Sequence, residues 1–288
     1  TIDEDVVRRD FTMNAIYIDA NGTPVDLMGG VTDIDNHIIR ACGDPDKRFN
    51  EDALRILRAL RFSANLGFAI DSKTSESILK NYRLIGEISK ERIASEFIKL
   101  LIGRYASRVI REYLEVFTFI IPELGVMKGF DQKSKYHDKD LLEHTLAVLD
   151  GVMPRSDELC LAALLHDVGK PAVFTVGEDG YGHMHQHNII SAEIANRFMD
   201  EYKFSNAFKK MVTDLIMLHD TFPSTKSSIR KYVSEYSLEL FKELSSLQRA
   251  DIGAHSEYGK NRISILEERD TILEEIIRDQ ECLSIKDL

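Results

Sequence analysis

The chain has 288 residues, 43% hydrophobic and 30% charged, with a formal net charge of −11 at pH 7. That mass suffices for two compact units with ordinary cores; no run of eighteen apolar residues and no charged-then-apolar leader is present, so a helical membrane span and secretion are unsupported. The three cysteines, Cys42, Cys160 and Cys282, are odd in number and scattered, which fits a reducing cytoplasm and argues against a cysteine-built zinc site.

Residues 1–43 read as the end of a mixed α/β segment, with β-leaning pieces at Ile16–Ile18 and Ile38–Arg40 and a turn at Asn21-Gly22. From Asp44 onward the pattern is almost wholly helical. It predicts helices over about 50–65, 72–81, 89–102, 105–117, 140–152, 157–167, 189–202, 206–219, 235–251 and 260–278. Pro122, Gly125 and Gly129 punctuate the join between two helical units, and no internal repeat or coiled-coil heptad is visible. Charge is uneven along the chain: residues 40–112 carry fifteen Lys and Arg against ten acids, whereas residues 113–288 carry twenty against thirty. Phosphate contacts need a local basic patch more than a positive total, so the acidic sum does not exclude nucleic acid.

The segment Glu51-Asp52-Ala53-Leu54-Arg55-Ile56-Leu57-Arg58-Ala59-Leu60-Arg61-Phe62 is the densest in chemistry. At 100° per residue, Asp52, Arg55, Arg58 and Arg61 fall on one half of a helix, and Ala53, Leu54, Ile56, Leu57 and Leu60 sit mainly on the other. A carboxylate only accepts hydrogen bonds and a guanidinium only donates them. Side by side, the two match the amino donor and ring-nitrogen acceptor of cytosine or adenine and mismatch guanine and uracil. Such mismatches reject an analogue by about 10⁴-fold in a site built on hydrogen bonds. The remaining arginines then offer forked donors to a triphosphate. The same residues on an amphipathic helix also make an ordinary solvated ion-pair face.

Four ordered motifs give that helix its context: Arg8-Arg9-Asp10-Phe11-Thr12-Met13-Asn14-Ala15; Val25-Asp26-Leu27-Met28-Gly29-Gly30 with Asp33; Arg48-Phe49-Asn50-Glu51-Asp52; and Ser89-Lys90-Glu91-Arg92-Ile93 with Glu96. Together they resemble the class II tRNA nucleotidyltransferases, the family of CCA-adding enzymes and bacterial poly(A) polymerases. The resemblance implies that Asp52 and Arg55 select the incoming base, CTP or ATP, that Arg58 and Arg61 support the nucleotide, and that Arg9 contacts its ribose or phosphates. It also implies a tRNA or RNA 3′ end as partner and Mg²⁺ as cofactor. In that family a paired Asp-x-Asp upstream of the Arg-Arg-Asp motif holds the Mg²⁺ ions that transfer requires. Here only seven residues precede the motif, so the chain reads as part of a longer protein. The runs Asp33-Ile34-Asp35 and Asp44-Pro45-Asp46 stand in the wrong place to be that site.

The second half carries its own constellation. His144, the pair His166-Asp167 and the distant Asp251 supply imidazoles and carboxylates from three helical segments, and His187 and His219, lying between them, are further candidates. Such ligands suit Mn²⁺, Mg²⁺, Ni²⁺, Fe or Zn²⁺ without choosing among them. With Leu165-His166-Asp167-Val168-Gly169-Lys170 at its centre and Arg249-Ala250-Asp251 at its end, this order resembles the HD phosphohydrolase superfamily over roughly residues 137–255. The resemblance implies a divalent metal that polarises a phosphate ester and supplies a bound hydroxide, with Lys170 contacting the phosphate. His183, His185 and His255 read as ordinary core or surface residues.

These readings combine into a mainly α chain: a small α/β remnant of a nucleotidyltransferase head over 1–43, a helical neck over 44–134, a helical HD domain over 135–258 and a helical tail over 259–288. Functionally, the body of a tRNA nucleotidyltransferase with an HD module stands first. An independent HD phosphohydrolase and a non-catalytic RNA-binding module are the alternatives. Addition of CCA and addition of A alone are not separated by these residues.

Overall fold

A computed structural model of the chain describes residues 5–278; Cys282 and the end of the expected tail lie outside the described residues. The described residues are mainly helical, with three two-stranded ladders, and the chain divides into two units, Thr1–Pro122 and Glu123–Leu288. Among the described residues no helix is long and apolar enough to cross a membrane.

In the first unit, strand Ile16–Ile18 pairs antiparallel with Pro24–Asp26 around a turn in which Gly22 has φ 82° and the Asp19 carboxylate accepts from the backbone N–H of Asn21 and Thr23. Asp26 then ties down the next helix, Gly30–Asp35, by accepting from the N–H groups of Met28, Gly30 and Val31. Gly30 is required by close approach: a Cβ there would lie 2.2 Å from the Thr12 carbonyl oxygen. A short parallel ladder joins Ile38–Ile39 to Ala69–Ile70.

The expected 50–65 helix is two. Asp44 caps a first helix, Pro45–Glu51, with Pro at its start. Asp52 adopts extended backbone (φ −153°, ψ 100°), and Leu54–Leu66 begins beyond it. The Asp52 carboxylate accepts from Leu54 N–H at 3.1 Å and its carbonyl from Arg55 N–H at 3.1 Å, so Asp52 closes the first helix and stands just before the arginine helix, of which it is not a member. Ile56, Leu57 and Leu60 are fully buried, and the helix packs against Lys90–Leu101 and Ala106–Glu112. Each such side chain contributes roughly 1.5–3 kcal/mol on removal from water. Ser72–Asn81 runs as expected, and the 105–117 prediction becomes Ala106–Glu112 and Leu114–Ile120.

The second unit is a helical bundle. Leu141–Gly151 packs on Leu238–Ala254, and Asn206–Leu218 packs on both Asp157–Leu165 and His187–Glu201. Asp140, Ser156 and Ser205 cap three of these helices through their side chains. Asp157–Leu165 is buried all round from Leu159 to Leu165, which makes it the central element. A helix the sequence reading passes over, Lys226–Tyr236, buries Ile229 and Val233 in a small core with Phe241, Leu273 and Ile276, and this core holds the tail helix Ile263–Arg278.

Candidate metal centre and nucleotide face

The central helix ends at Leu165, and the next two residues, His166 and Asp167, are buried at the heart of the second unit. Gly169 allows the chain to turn there against the helix beginning at His187: a Cβ on it would meet the His187 carbonyl oxygen and the Ser191 N–H at 2.6 Å. Around Asp167 the structure gathers every metal ligand expected from the sequence. Its Oδ2 faces His166 Nε2 at 3.2 Å, His144 Nε2 at 3.6 Å and Lys170 Nζ at 2.6 Å; its Oδ1 faces His187 Nε2 at 3.2 Å and His219 Nε2 at 3.7 Å. Asp251 completes the first side, with Oδ1 3.0 Å from His144 Nε2 and 3.8 Å from His166 Nε2. Two donor groups result, His144–His166–Asp251 and Asp167–His187–His219, each with ligand atoms within 4.8 Å of one another.

The chemistry of these donors fits a divalent cation. Nδ1–H of His166, His187 and His219 each meets a backbone carbonyl, of Ala163 at 2.9 Å, Met184 at 3.0 Å and Ile216 at 2.6 Å. That fixes the proton on Nδ1 and turns each Nε2 lone pair inward. His187 and His219 consequently point Nε2 at each other across 3.1 Å. His166 Nε2 is buried without a hydrogen-bond partner, and apart from Lys170 at Oδ2 the buried Asp167 oxygens face only imidazole Nε2 atoms, a state that coordination would relieve. Burial alone would raise the Asp167 carboxyl, but His166 and Lys170 beside it hold it well below the usual carboxylate range. Asp251 is likewise held low against its burial, by His144, His255 and His166. His219 is pushed up to about 9, burial being outweighed by the Asp167 and Asp220 carboxylates.

Several contributors escape the sequence reading. Lys170 Nζ also donates to Gln132 Oε1 at 2.9 Å, fixing its ammonium beside Asp167. Asp220 Oδ2 lies 3.5 Å from His187 Nε2. His255, expected to be ordinary, is buried with Nε2 3.5 Å from Asp251 Oδ1, and His137 packs edge-on against both His144 and His255. Gln248, wholly buried, donates to the carbonyls of His219 at 2.9 Å and Thr221 at 2.7 Å, and accepts from Arg269 Nη1 of the tail helix, itself only 1% exposed. Proximity of Asp220 to His219 is a dipeptide signal comparable to His166-Asp167, and His255 stands four residues after Asp251; Gln132, His137, Gln248 and Arg269 have no local pattern.

In the first unit the arginines are held by specific partners. Arg55 donates to the Arg8 carbonyl at 2.7 Å and to Glu51 at 3.2 Å. Arg58 pairs with buried Asp10 at 2.6 Å, and Arg61 with buried Glu96 at 3.2 Å. Arg9 is exposed and paired with Asp5 at 2.8 Å. Asp52 faces Arg92 at 3.1 Å, so the carboxylate expected to stand beside Arg55 has another guanidinium for its ion-pair partner. A cleft of about 330 Å³ opens at this pair, lined by Asn50, Glu51, Asp52, Glu87 and Arg92 among others. Three of the four aspartates in the two Asp-x-Asp runs are engaged in the fold: Asp33 accepts from Thr12 and pairs with Arg40, Asp44 caps a helix, and Asp46 binds Ser77, Lys80 and Asn81.

The first unit thus carries an arginine-bearing helix, and the second a buried His–Asp centre. The family models agree: "Poly A polymerase head domain" matches residues 1–40, "Probable RNA and SrmB- binding site of polymerase A" residues 67–127, and "HD domain" residues 141–253. The chain is 50% identical over 237 residues to a CCA-adding enzyme of Geobacillus sp. (strain WCH70), covering 82% of this chain and 50% of that protein, and 33% identical over 237 residues to one of Streptococcus agalactiae, covering 81% and 51%. The crystal structure of the Bacillus stearothermophilus CCA-adding enzyme in complex with CTP superposes with a TM-score of 0.64 at 27% identity, over 94% of this chain and 60% of that one. The chain belongs to the class II tRNA nucleotidyltransferase and poly(A) polymerase family, in a form that carries an HD domain. It spans about half the length of these two curated relatives.

Proposed function

We propose that this chain forms the nucleotide-selecting and RNA-holding body of a CCA-adding enzyme that uses CTP and ATP on tRNA 3′ ends, joined to a metal-dependent HD phosphohydrolase. The observation that carries the first part is the 50% identity, over 237 residues, to a protein that is itself a CCA-adding enzyme. Asp52 and Arg55 are assigned to the base edge, Arg58, Arg61 and Arg9 to the nucleotide. A base reaches Asp52 by displacing Arg92, whose side chain is 53% exposed. Mg²⁺ supplies charge neutralisation for nucleotidyl transfer; with three of the four aspartates in this chain's Asp-x-Asp runs engaged in the fold, its ligands are assigned to the Asp-x-Asp of the family's head.

Calorimetric titration of the chain with each nucleotide in Mg²⁺ buffer tests the assignment. Binding of CTP and ATP, and not of GTP or UTP, with loss of both in Asp52→Ala, is expected. Equal binding of all four, or an Asp52→Ala variant that still discriminates, would refute the Asp52 assignment.

For the HD module the reading rests on the donors around Asp167. His144, His166, Asp167 and Asp251 would hold one divalent ion, and Asp167, His187 and His219 a second, with Asp167 shared. Such ions supply a low-pKa water and polarise a phosphoryl oxygen. Lys170, held by Asp167 and Gln132, presents its ammonium to the phosphate, and the Ala163, Met184 and Ile216 carbonyls keep three imidazoles in the ligating tautomer. Phosphate monoesters and cyclic phosphates are the substrate class. Turnover abolished by Asp167→Ala with nucleotide binding intact is expected; loss of both together would count against two separate sites.

A further inference from the structure

The ammonium of Lys170 has three N–H donors. Asp167 Oδ2 at 2.6 Å and Gln132 Oε1 at 2.9 Å take two of them, which among the described residues leaves one. Gln132 also has donor capacity to spare. The residue is 1% exposed, its Oε1 is engaged by Lys170, and its Nε2 is buried without a hydrogen-bond partner. Turning the amide over does not remove the problem: Lys170 has no acceptor, so the oxygen end has to face it and the N–H₂ end is the one left over. A buried amide nitrogen without a partner is costly. The backbone around it is nevertheless fixed. Leu141 N–H donates to the Phe130 carbonyl at 3.1 Å, Lys133 N–H to the Asp131 carboxylate at 2.8 Å, and Gly182 N–H, from the ladder of Thr175–Val176 with Gly182–His183, to the Lys133 carbonyl at 2.9 Å. Lys133 takes φ 45°, a left-handed conformation that a side chain adopts where its surroundings impose it. Gly182 lets the ladder close on this segment, since a Cβ there would lie 2.2 Å from the Gln132 carbonyl oxygen.

We infer that Gln132 is a phosphate contact of the HD centre, its Nε2–H₂ and the remaining N–H of Lys170 forming a two-donor clamp on the phosphoryl group of the ester. Oε1 and Nε2 share one carbon, so an oxygen that accepts from Lys170 beside Oε1 comes within reach of Nε2. Both groups donate, which suits an oxyanion and not a cation. The ammonium supplies the charge, and the planar amide fixes where the oxygen sits. Gln132 precedes residues 141–253, over which the HD family model matches, so the clamp joins the centre from a segment that comes before that domain. The inference rests on the HD reading, which supplies the phosphate ester.

The test is calorimetric titration of the metal-loaded chain with inorganic phosphate, alongside p-nitrophenyl phosphate kinetics and metal content, for the wild type, Gln132→Glu and Gln132→Met. Glu keeps an acceptor for Lys170 and removes the amide donor; Met removes both without adding charge. Both variants are expected to keep wild-type metal content and to bind phosphate about tenfold more weakly or worse, the size of one hydrogen bond to a charged group, with a matching rise in KM. Loss in Gln132→Met alone would reduce Gln132 to a tether of Lys170 and overturn the contact. Loss in Gln132→Glu alone would be charge repulsion and would overturn it too. Wild-type affinity in both variants, with turnover present, overturns the contact and leaves the HD reading standing, whereas a wild type that neither binds phosphate nor turns over the ester overturns both. Should the variants fail to fold, a crystal structure of the wild type with phosphate decides: an oxygen about 3 Å from Gln132 Nε2 is expected, and phosphate bound elsewhere overturns the clamp.

Discussion

Glu96→Ala probes the engagement of Arg61. The Glu96 side chain is 8% exposed and that of Arg61 14%, with Nη1 3.2 Å from Oε2 and the guanidinium 4.3 Å over the Phe62 ring. Removing one partner of a buried pair typically costs about 3–5 kcal/mol, because the other charge is left without compensation. Arg61 keeps its contact with Phe62, worth about 0.5–1 kcal/mol or more, and some access to water, so the expected loss is about 3 kcal/mol, the low end of that range. The double variant Arg61→Met/Glu96→Leu leaves no buried charge and should lie within about 1 kcal/mol of wild type. Urea unfolding read by hydrogen exchange on peptides of Leu54–Leu66 separates the first unit from the second. A loss under about 1 kcal/mol for Glu96→Ala, or a double variant as damaged as the sum of the singles, would refute the buried-pair argument. Arg61 would then be free to act chiefly on nucleotide.

Lys170→Met should lower phosphate-ester turnover by about 10²-fold or more while bound metal is retained, as loss of an electrostatic donor does; p-nitrophenyl phosphate kinetics with metal content checks this. Cys42 and Cys160 are buried, and burial pushes both thiols up to about 11; neither should be alkylated by iodoacetamide in the native protein at pH 8, and peptide mapping would expose an error. Asp46, hydrogen-bonded to Lys80, Ser77 and Asn81, is held down to about 2 from 3.8. Its folded-state value is depressed, so its contribution is complete above about pH 4 and fades as pH falls toward 2. Asp46→Asn should therefore flatten the acid limb of the unfolding curve in that window, and an unchanged limb would contradict the assignment.

Helices with a side-chain cap and a clear apolar stripe were readable from residues alone. Ser72–Asn81, preceded by Asp71 accepting from Thr74 N–H, begins and ends where the pattern predicts. The break at Asp52 was hidden because the apolar spacing continues through it; the signal was Asp44-Pro45, which starts an earlier helix that needs an end. Lys226–Tyr236 was missed because only Ile229 and Val233 are buried and its capping box uses Ser228 in place of Glu or Gln. At the candidate metal centre, helix ends and the His166-Asp167 dipeptide announced the residues that the structure gathers around Asp167. His255 follows Asp251 by four residues at the end of the same helix, a spacing the sequence does show, whereas only tertiary packing brings His137 to His144.

The contact between Arg269 and Gln248 ties the last described helix to the candidate metal centre. Gln248 grips the His219–Thr221 turn, and Arg269 grips Gln248, so ordering of His219 around an ion and docking of Ile263–Arg278 are linked equilibria. A ligand that binds the ordered arrangement stabilises everything that depends on it. The tail is thereby a remote reporter: its backbone amides should exchange more slowly with deuterium when the centre is loaded, and a clipped or undocked tail should loosen the grip on the ion by the same free energy.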